Sequence, residues 1–276
     1  MAGISAADVA KLRNITGAGM MDCKEALGQS NGNFDEAIEF LRKKGQKVAN
    51  KRVDRETTEG CVLAGVSSDS KRAVIVCLSC ETDFVAKNQE YIAFTQSILD
   101  IAMTNAPAKV DALLSSKYKT LTVADGIIEK VGTIGEKLSL SCYEQITAEQ
   151  VFAYIHPGNK LATIVGFNQK LTDNQVGKDI AMQIAAMNPI SIDKNDCPTD
   201  VINKEIEIGK DQARQEGKPE AMLEKIAMGK LQKFYNENTL LNQEFIKDNK
   251  LSIRQYLANT NKELTVTAFR RYTLNA

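Results

Sequence analysis

The sequence predicts an α+β protein with three parts: a small N-terminal helical bundle, a core in which a hairpin-plus-helix unit occurs twice, and a helical arm. Residues 1–55 carry only helical periodicity. Beyond them, β-rich runs are paired across turns and followed by a helix, and that order recurs further along the chain. Composition sets the frame. A chain of 276 residues, 43% hydrophobic and 25% charged, has ordinary globular proportions, and at ~100–200 residues per domain it predicts two domains, with room for a smaller third piece. Thirty-five basic residues balance thirty-five acidic ones, so net charge gives no reason to expect direct nucleic-acid or membrane binding. One histidine, His156, excludes sites with two or more His ligands, and any His triad must use it. The longest obvious apolar run, Ala73 to Leu78, falls far short of the ~20 residues of a membrane span. Met1 to Ser5 has neither a basic flank nor an apolar signal core. Six cysteines in such a chain are expected to be reduced thiols of a cytoplasmic protein.

The elements follow in order. Ser5 caps a helix carrying Val9 and Leu12 that ends near Gly17-Ala18-Gly19. A second helix places Met20, Met21, Cys23, Ala26 and Leu27 at helical spacing, and a third runs from an Asn33 cap to Gly45. The basic stretch Arg42, Lys43, Lys44, Lys47, Lys51, Arg52 and Arg55 reads as a solvated linker helix, since no aromatic residues interleave to stack on bases. Thr58–Val66 and Arg72–Cys80 form a hairpin, and Asn88 caps the helix that closes before Pro107. Val151–His156 and Leu161–Phe167 form a second hairpin, followed by a helix over Val176–Met187 before Pro189. Thr199 to Tyr235 is helical on both sides of Gly217-Lys218-Pro219, an antiparallel arm expected to have no core of its own. A helix at Ile253–Leu257 and a strand at Leu264–Tyr272 complete the second unit.

Cys77-x-x-Cys80 invites a redox or zinc assignment. Residues i and i+3 on a strand point to opposite faces ~10 Å apart, whereas a disulfide needs Cα atoms within ~7 Å, so buried apolar thiols are expected. Cys61 is expected to face Cys77 if the hairpin turns at Asp69. No further ligands are evident. Gly17-Ala18-Gly19 lacks the strand before it and the Gly-Lys-Ser/Thr after it that a phosphate loop needs. His156 reads as a surface or interface residue. Cys80 to Asn88 is the most informative segment, because it leaves a strand and enters a helix. There Phe84 either folds back into the core with Thr82 as a cap, or stands out beside Asp83 as a wedge for another protein's pocket.

Leu12 to Leu27, with Thr16-Gly17-Ala18-Gly19-Met20-Met21 at its centre, closely resembles the N-terminal signature of the translation elongation factor Ts family. Thr82-Asp83-Phe84-Val85 is identical to that family's central motif, and the likeness continues through Ile134-Gly135-Glu136, Ala153-Tyr154-Ile155-His156 and Thr267-Ala268-Phe269-Arg270. The resemblance covers nearly the whole chain in order. It implies a ubiquitin-associated-like N-terminal three-helix bundle over 1–55 with the basic linker, core subdomains over 56–145 and over 146–198 plus 236–276, and an antiparallel coiled-coil arm over 199–235. It also implies a guanine nucleotide exchange factor, with neither cofactor nor covalent chemistry, that binds elongation factor Tu in its GDP-bound and nucleotide-free forms. Phe84 would be the wedge, Asp83 its polar anchor, and Thr82 and Val85 their support; together they would disturb the groups that hold Mg²⁺ and the phosphates. Leu12, Met20 and Met21 would dock the bundle, and Ile134, Gly135 and His156 would line the core contact. Two departures are visible: Pro157-Gly158 follows His156 where the family more often has Gly directly, and a further C-terminal helical module of some members is expected to be missing. The arm leaves open a homodimer or a two-plus-two complex. The competing expectation is a ubiquitin-associated-like adaptor or scaffold whose working part is the bundle alone.

Overall fold

The computed structural model describes residues 4–274. Three helices open the chain: α1 (Ala6–Thr16), α2 (Met20–Gln29) and α3 (Phe34–Lys51). Ser5 and Asp8 form a capping box on α1, Gly17 closes it in the left-handed region (φ 70°), and Asn33 caps α3. Their shared core is built on Val9, Leu12, Cys23 and Leu27.

Next come β1 (Glu59–Val66), β2 (Arg72–Cys80), a single helical turn α4 (Asp83–Ala86) and α5 (Gln89–Asn105), the last capped by Asn88. The following stretch holds α6 (Val110–Leu114), a minimal hairpin β3 (Lys117–Tyr118) and β4 (Leu121–Thr122), α7 (Val123–Ile134), and β5 (Ser139–Thr147). A second hairpin and helix are β6 (Gln150–Ile155), β7 (Leu161–Phe167) and α8 (Asn174–Met187). The arm is α9 (Thr199–Gln215) and α10 (Glu220–Asn238); β8 (Glu244–Phe245), β9 (Asp248–Ser252), α11 (Ile253–Thr260) and β10 (Val266–Thr273) end the chain.

Two three-stranded antiparallel sheets result, in the orders β1-β2-β5 and β10-β7-β6. In each, the second strand of the hairpin is central and a later strand pairs with its free edge. The sheets pack face to face. Ala73, Ile75 and Cys77 of β2 meet Ile146, Val151 and Ile164 between them, while Val74, Val76, Leu78 and Cys80 face Phe94, Ile98 and Val131 on the helical side. Burial on both faces is why Ala73 to Leu78 is continuously apolar. The outer face of the second sheet carries Val165 and Phe167 against Ile180, Ile184 and Leu257. Helix content and small antiparallel sheets make this a mixed α+β fold. No helix among the described residues is long and apolar enough to cross a membrane.

Several expectations need correction. Helix α3 does not stop at Gly45; it runs on to Lys51 and carries most of the basic stretch. A Cβ on Gly45 would stand 2.9 Å from the Ile128 carbonyl oxygen, and one on Gly132 would stand 2.8 Å from the Gly45 Cα. Gly45 therefore marks a close crossing of α3 and α7 rather than a helix end. Cys61 pairs with Leu78, and Val62 with Cys77, so the hairpin register is one residue off the expected one. Strand β5 extends to Thr147 and α10 to Asn238, so the boundaries at 145 and 235 cut through elements. The arm does have a narrow seam of its own, in which Gly209 of α9 lies against Ala227 of α10 and Ala213, Leu223 and Leu231 are buried. Its base is fixed by Asp193, which accepts from Arg254 at 2.7 Å and from Asn242 at 2.8 Å.

Candidate interaction site

Thr82 to Val85 lie where β2 leaves its sheet and turns into α4. A single helical turn has no stability of its own, so its neighbours must hold it. Thr82 is the N-cap: its hydroxyl oxygen accepts the Val85 N–H at 3.5 Å, while its proton goes to Glu136 Oε1 at 2.7 Å. Glu136 Oε2 accepts the backbone N–H groups of Thr82 (3.0 Å) and Glu81 (3.1 Å). Glu81 returns the contact. It accepts the Lys137 N–H at 2.6 Å and the Arg52 guanidinium at 2.8 and 2.9 Å, and these donors hold its carboxyl below the usual carboxylate range. The Lys137 ammonium in turn donates to the carbonyls of Val53 (2.6 Å) and Arg55 (2.9 Å).

Within the turn, Ala86 is buried and Val85 packs on the first core, which directs Phe84 away from it. Phe84 is 84% exposed. The fold-back alternative is thereby overturned: one helical turn cannot send both Val85–Ala86 and Phe84 inward. Beside Phe84, Asp83 pairs with Lys87 at 2.6 Å, which holds the Asp83 carboxyl low and raises the Lys87 ammonium.

Ile134 and Gly135 end α7, with Gly135 left-handed (φ 80°) and its N–H bonded to the Val131 carbonyl at 2.8 Å. They directly precede Glu136, so its carboxylate joins them to the Thr82–Val85 corner. His156 is exposed at the end of β6, its Nδ1 3.0 Å from the Tyr154 hydroxyl. The turn after it reaches the same end of the first sheet. Asn159 O accepts the Val62 N–H at 2.7 Å, and Lys160 pairs at 2.7 Å with Glu59, the strand partner of Cys80. On the bundle, Met20 and Met21 are exposed, and Ile15 beside them as well. Leu12 is fully buried among the bundle helices, so its expected partner contact is corrected: it shapes the bundle from within.

The family model for "Elongation factor TS" matches residues 81–276. The chain is 52% identical over 270 residues to elongation factor Ts of Porphyromonas gingivalis, covering 98% of this chain and 97% of that one. It is 49% identical over 275 residues to elongation factor Ts of Flavobacterium psychrophilum, at 99% and 100% coverage, and 49% identical over 278 residues to that of Cytophaga hutchinsonii, at full coverage of both. The chain belongs to the elongation factor Ts family.

In this chain, the motif read from sequence and the Ile134–Gly135 and His156 segments meet at one end of the first sheet. Sequence reasoning gave no role to Glu81, Arg52, Glu136 or Lys137, which hold that end together. A carboxylate gripping a backbone N–H 54 positions away leaves no periodic trace; the only signal was the occurrence of Glu136 beside Ile134-Gly135 in the resemblance. The cysteine pair offers no redox site. Cys77 lies between the sheets and Cys80 under the helices, and burial pushes both thiols up to about 11, the opposite of an activated thiolate.

Proposed function

We propose that this chain is a guanine nucleotide exchange factor that binds elongation factor Tu, GDP-bound and nucleotide-free, and promotes GDP release in the cytoplasm during translation elongation. Family membership supports the activity. The observation that supports the mechanism is Phe84, 84% exposed on a corner whose backbone is held by charged side chains. An aromatic ring left in water on a fixed mount gains its burial energy when a partner's pocket receives it. Phe84 is the wedge, Asp83 the polar anchor, and Thr82 and Val85 the support; together they displace the partner's Mg²⁺ and phosphate contacts. Met20 and Met21 dock the bundle, and Ile134, Gly135 and His156 form the shoulder beside the wedge. The exchange involves no covalent step. A factor that weakens nucleotide binding is weakened by nucleotide to the same extent, so the complex turns over.

The finer architecture belongs to the same proposal: a ubiquitin-associated-like bundle, two subdomains arisen by duplication, and a coiled-coil arm. The shared strand order supports the duplication. So do the endings of α5 and α8, which close on the left-handed residues Ala106 and Asn188 just before Pro107 and Pro189.

The test is release of a fluorescent GDP from elongation factor Tu of the same source, with the wild-type chain and with Phe84→Ala. Burying one Phe is worth ~1.5–3 kcal/mol, so the variant should lose roughly ten- to a hundredfold in exchange. Its melting temperature should hardly move. Exchange that survives the substitution shifts the mechanism to the docking contacts, and equal losses of exchange and stability rule out the wedge. No acceleration by the wild-type chain returns the adaptor alternative.

A further inference from the structure

Building on the exchange function proposed above, we propose that Glu136 is a positioning residue for exchange: it holds Phe84 in its working direction and makes the wedge and the Ile134–Gly135 shoulder one rigid unit. Among the described residues, Glu136 is the only side chain that contacts the N-terminal end of α4 through three separate donors, at 2.7, 3.0 and 3.1 Å. By taking the proton of the Thr82 hydroxyl, it leaves that oxygen's lone pairs for the Val85 N–H, which sets the cap and with it the direction of the turn. It sits next to Gly135 in sequence, so a load on the shoulder is passed to the corner through one carboxylate. The lace through Glu81, Lys137 and Arg52 ties the same two segments a second time but stops at residue 81. Among the described residues Glu136 is the one carboxylate that reaches the cap residue; the only other side-chain contact to it is the Cys80 thiol, which donates to the Thr82 carbonyl at 3.2 Å and leaves its hydroxyl and N–H to Glu136.

The exchange assay described above, run at increasing factor concentration, separates maximal release rate from half-saturating concentration. Glu136→Ala should lower the maximal rate by on the order of tenfold, the factor one charge-assisted hydrogen bond corresponds to, with a smaller change in half-saturation. Glu136→Gln keeps an oxygen for the two backbone donors but sets an amide N–H, not an acceptor, against the Thr82 hydroxyl, so its rate should fall between those of wild type and Glu136→Ala. The deciding measurement is a double-mutant cycle. In the Phe84→Ala background, Glu136→Ala should slow release little further, because a positioning residue has nothing left to position. The same fold loss in both backgrounds would mean a general structural role and overturns the proposal. So does a wild-type rate for Glu136→Ala while Phe84→Ala is impaired, a result that leaves the exchange function standing. No acceleration by the wild-type chain overturns both. If the alanine variant does not fold, Glu136→Asp, too short to reach hydroxyl and backbone together, carries the same cycle.

Discussion

Two helical glycines cross where α3 meets α7, and substituting them sets two physical effects against each other. Alanine is better than glycine in a helix by ~1 kcal/mol, so Gly45→Ala and Gly132→Ala would stabilise exposed helices. Here the new Cβ atoms would stand 2.9 Å from the Ile128 carbonyl oxygen and 2.8 Å from the Gly45 Cα. Both obstacles are backbone and cannot rotate away, so the helices must separate by ~0.5 Å, a gap that forfeits a quarter to a half of each van der Waals contact along the seam. Overpacking of this kind costs ~1–3 kcal/mol, so after the ~1 kcal/mol propensity gain the net effect should be a loss of up to ~2 kcal/mol. Gly229 in α10 has nothing within 4 Å of its Cβ position, so Gly229→Ala should gain ~1 kcal/mol. At ~2–4 °C per kcal/mol for a chain of this size, thermal melts will resolve the opposite signs. Limited trypsinolysis after Lys51, Arg52 or Arg55 should speed up in the α3 and α7 variants as the bundle loosens. Gly132→Ala should also slow exchange more than Gly229→Ala, because α7 ends at the Ile134–Gly135 shoulder. A rise in melting temperature for Gly45→Ala equal to that for Gly229→Ala would refute the crossing argument.

Three further outcomes are expected. Leu12→Ala, at a fully buried position, should cost ~2–5 kcal/mol. Met21→Ala, at a position 74% exposed, should leave stability within ~0.5 kcal/mol and raise the factor concentration that half-saturates exchange; melts and exchange titrations that fail to separate the two would count against the docking role of Met21. Asp179 is buried and accepts from Gln175 (2.7 Å), Lys247 (2.8 Å) and the Tyr256 hydroxyl (2.8 Å). Burial alone would raise its pKa, but these partners outweigh burial and hold it below the usual carboxylate range. A depressed folded-state pKa stabilises above the unfolded value of ~4 and is lost as pH falls through the folded one. Asp179→Asn should therefore be less stable than wild type near neutrality by ~1–3 kcal/mol, and the gap in urea midpoints should close as pH drops below ~4. A gap independent of pH would remove the carboxylate from the explanation.

The hairpins were legible almost to the residue, because each joins two β-rich runs across a polar turn and because β2 and β7 are buried on both faces. Helix α7 and strand β5 were not. Gly126 and Gly132 lie inside α7, where glycine weakens a helical pattern, yet both are contact points: a Cβ on Gly126 would stand 2.8 Å from the Tyr118 ring, and Gly132 faces Gly45. Reading Gly45 as a helix end stopped α3 six residues too early. Strand β5 has only Cys142 and Ile146 buried along its length, too sparse an alternation to stand out. At the site, the motif was legible as a motif, but the direction of Phe84 was not, since a four-residue turn has no period to read. Its direction comes from residues 136 and 137, supplied across the fold. Leu12 shows the converse limit: a signature residue can be essential to the surface while lying beneath it.

The energetics of a wedge explain why that mount matters. Phe84 gains ~1.5–3 kcal/mol on burial. Fixing the backbone of one residue costs ~1–2 kcal/mol, and α4 has four residues, so ordering the turn at the moment of binding would absorb ~4–8 kcal/mol. That exceeds everything the ring can return. A flexible Phe84 loop would bind no better than a loop without the ring, whatever the shape of the pocket. The wedge works only if its backbone is already fixed in the free factor, and the fixing groups are the Glu136 carboxylate on the cap and the Glu81–Lys137–Arg52 contacts behind it. Even so, a pre-ordered Phe84 supplies at most about a hundredfold. Any larger acceleration has to come from surfaces that are also fixed before binding, and Met20 and Met21 on a bundle held by a glycine crossing meet that condition.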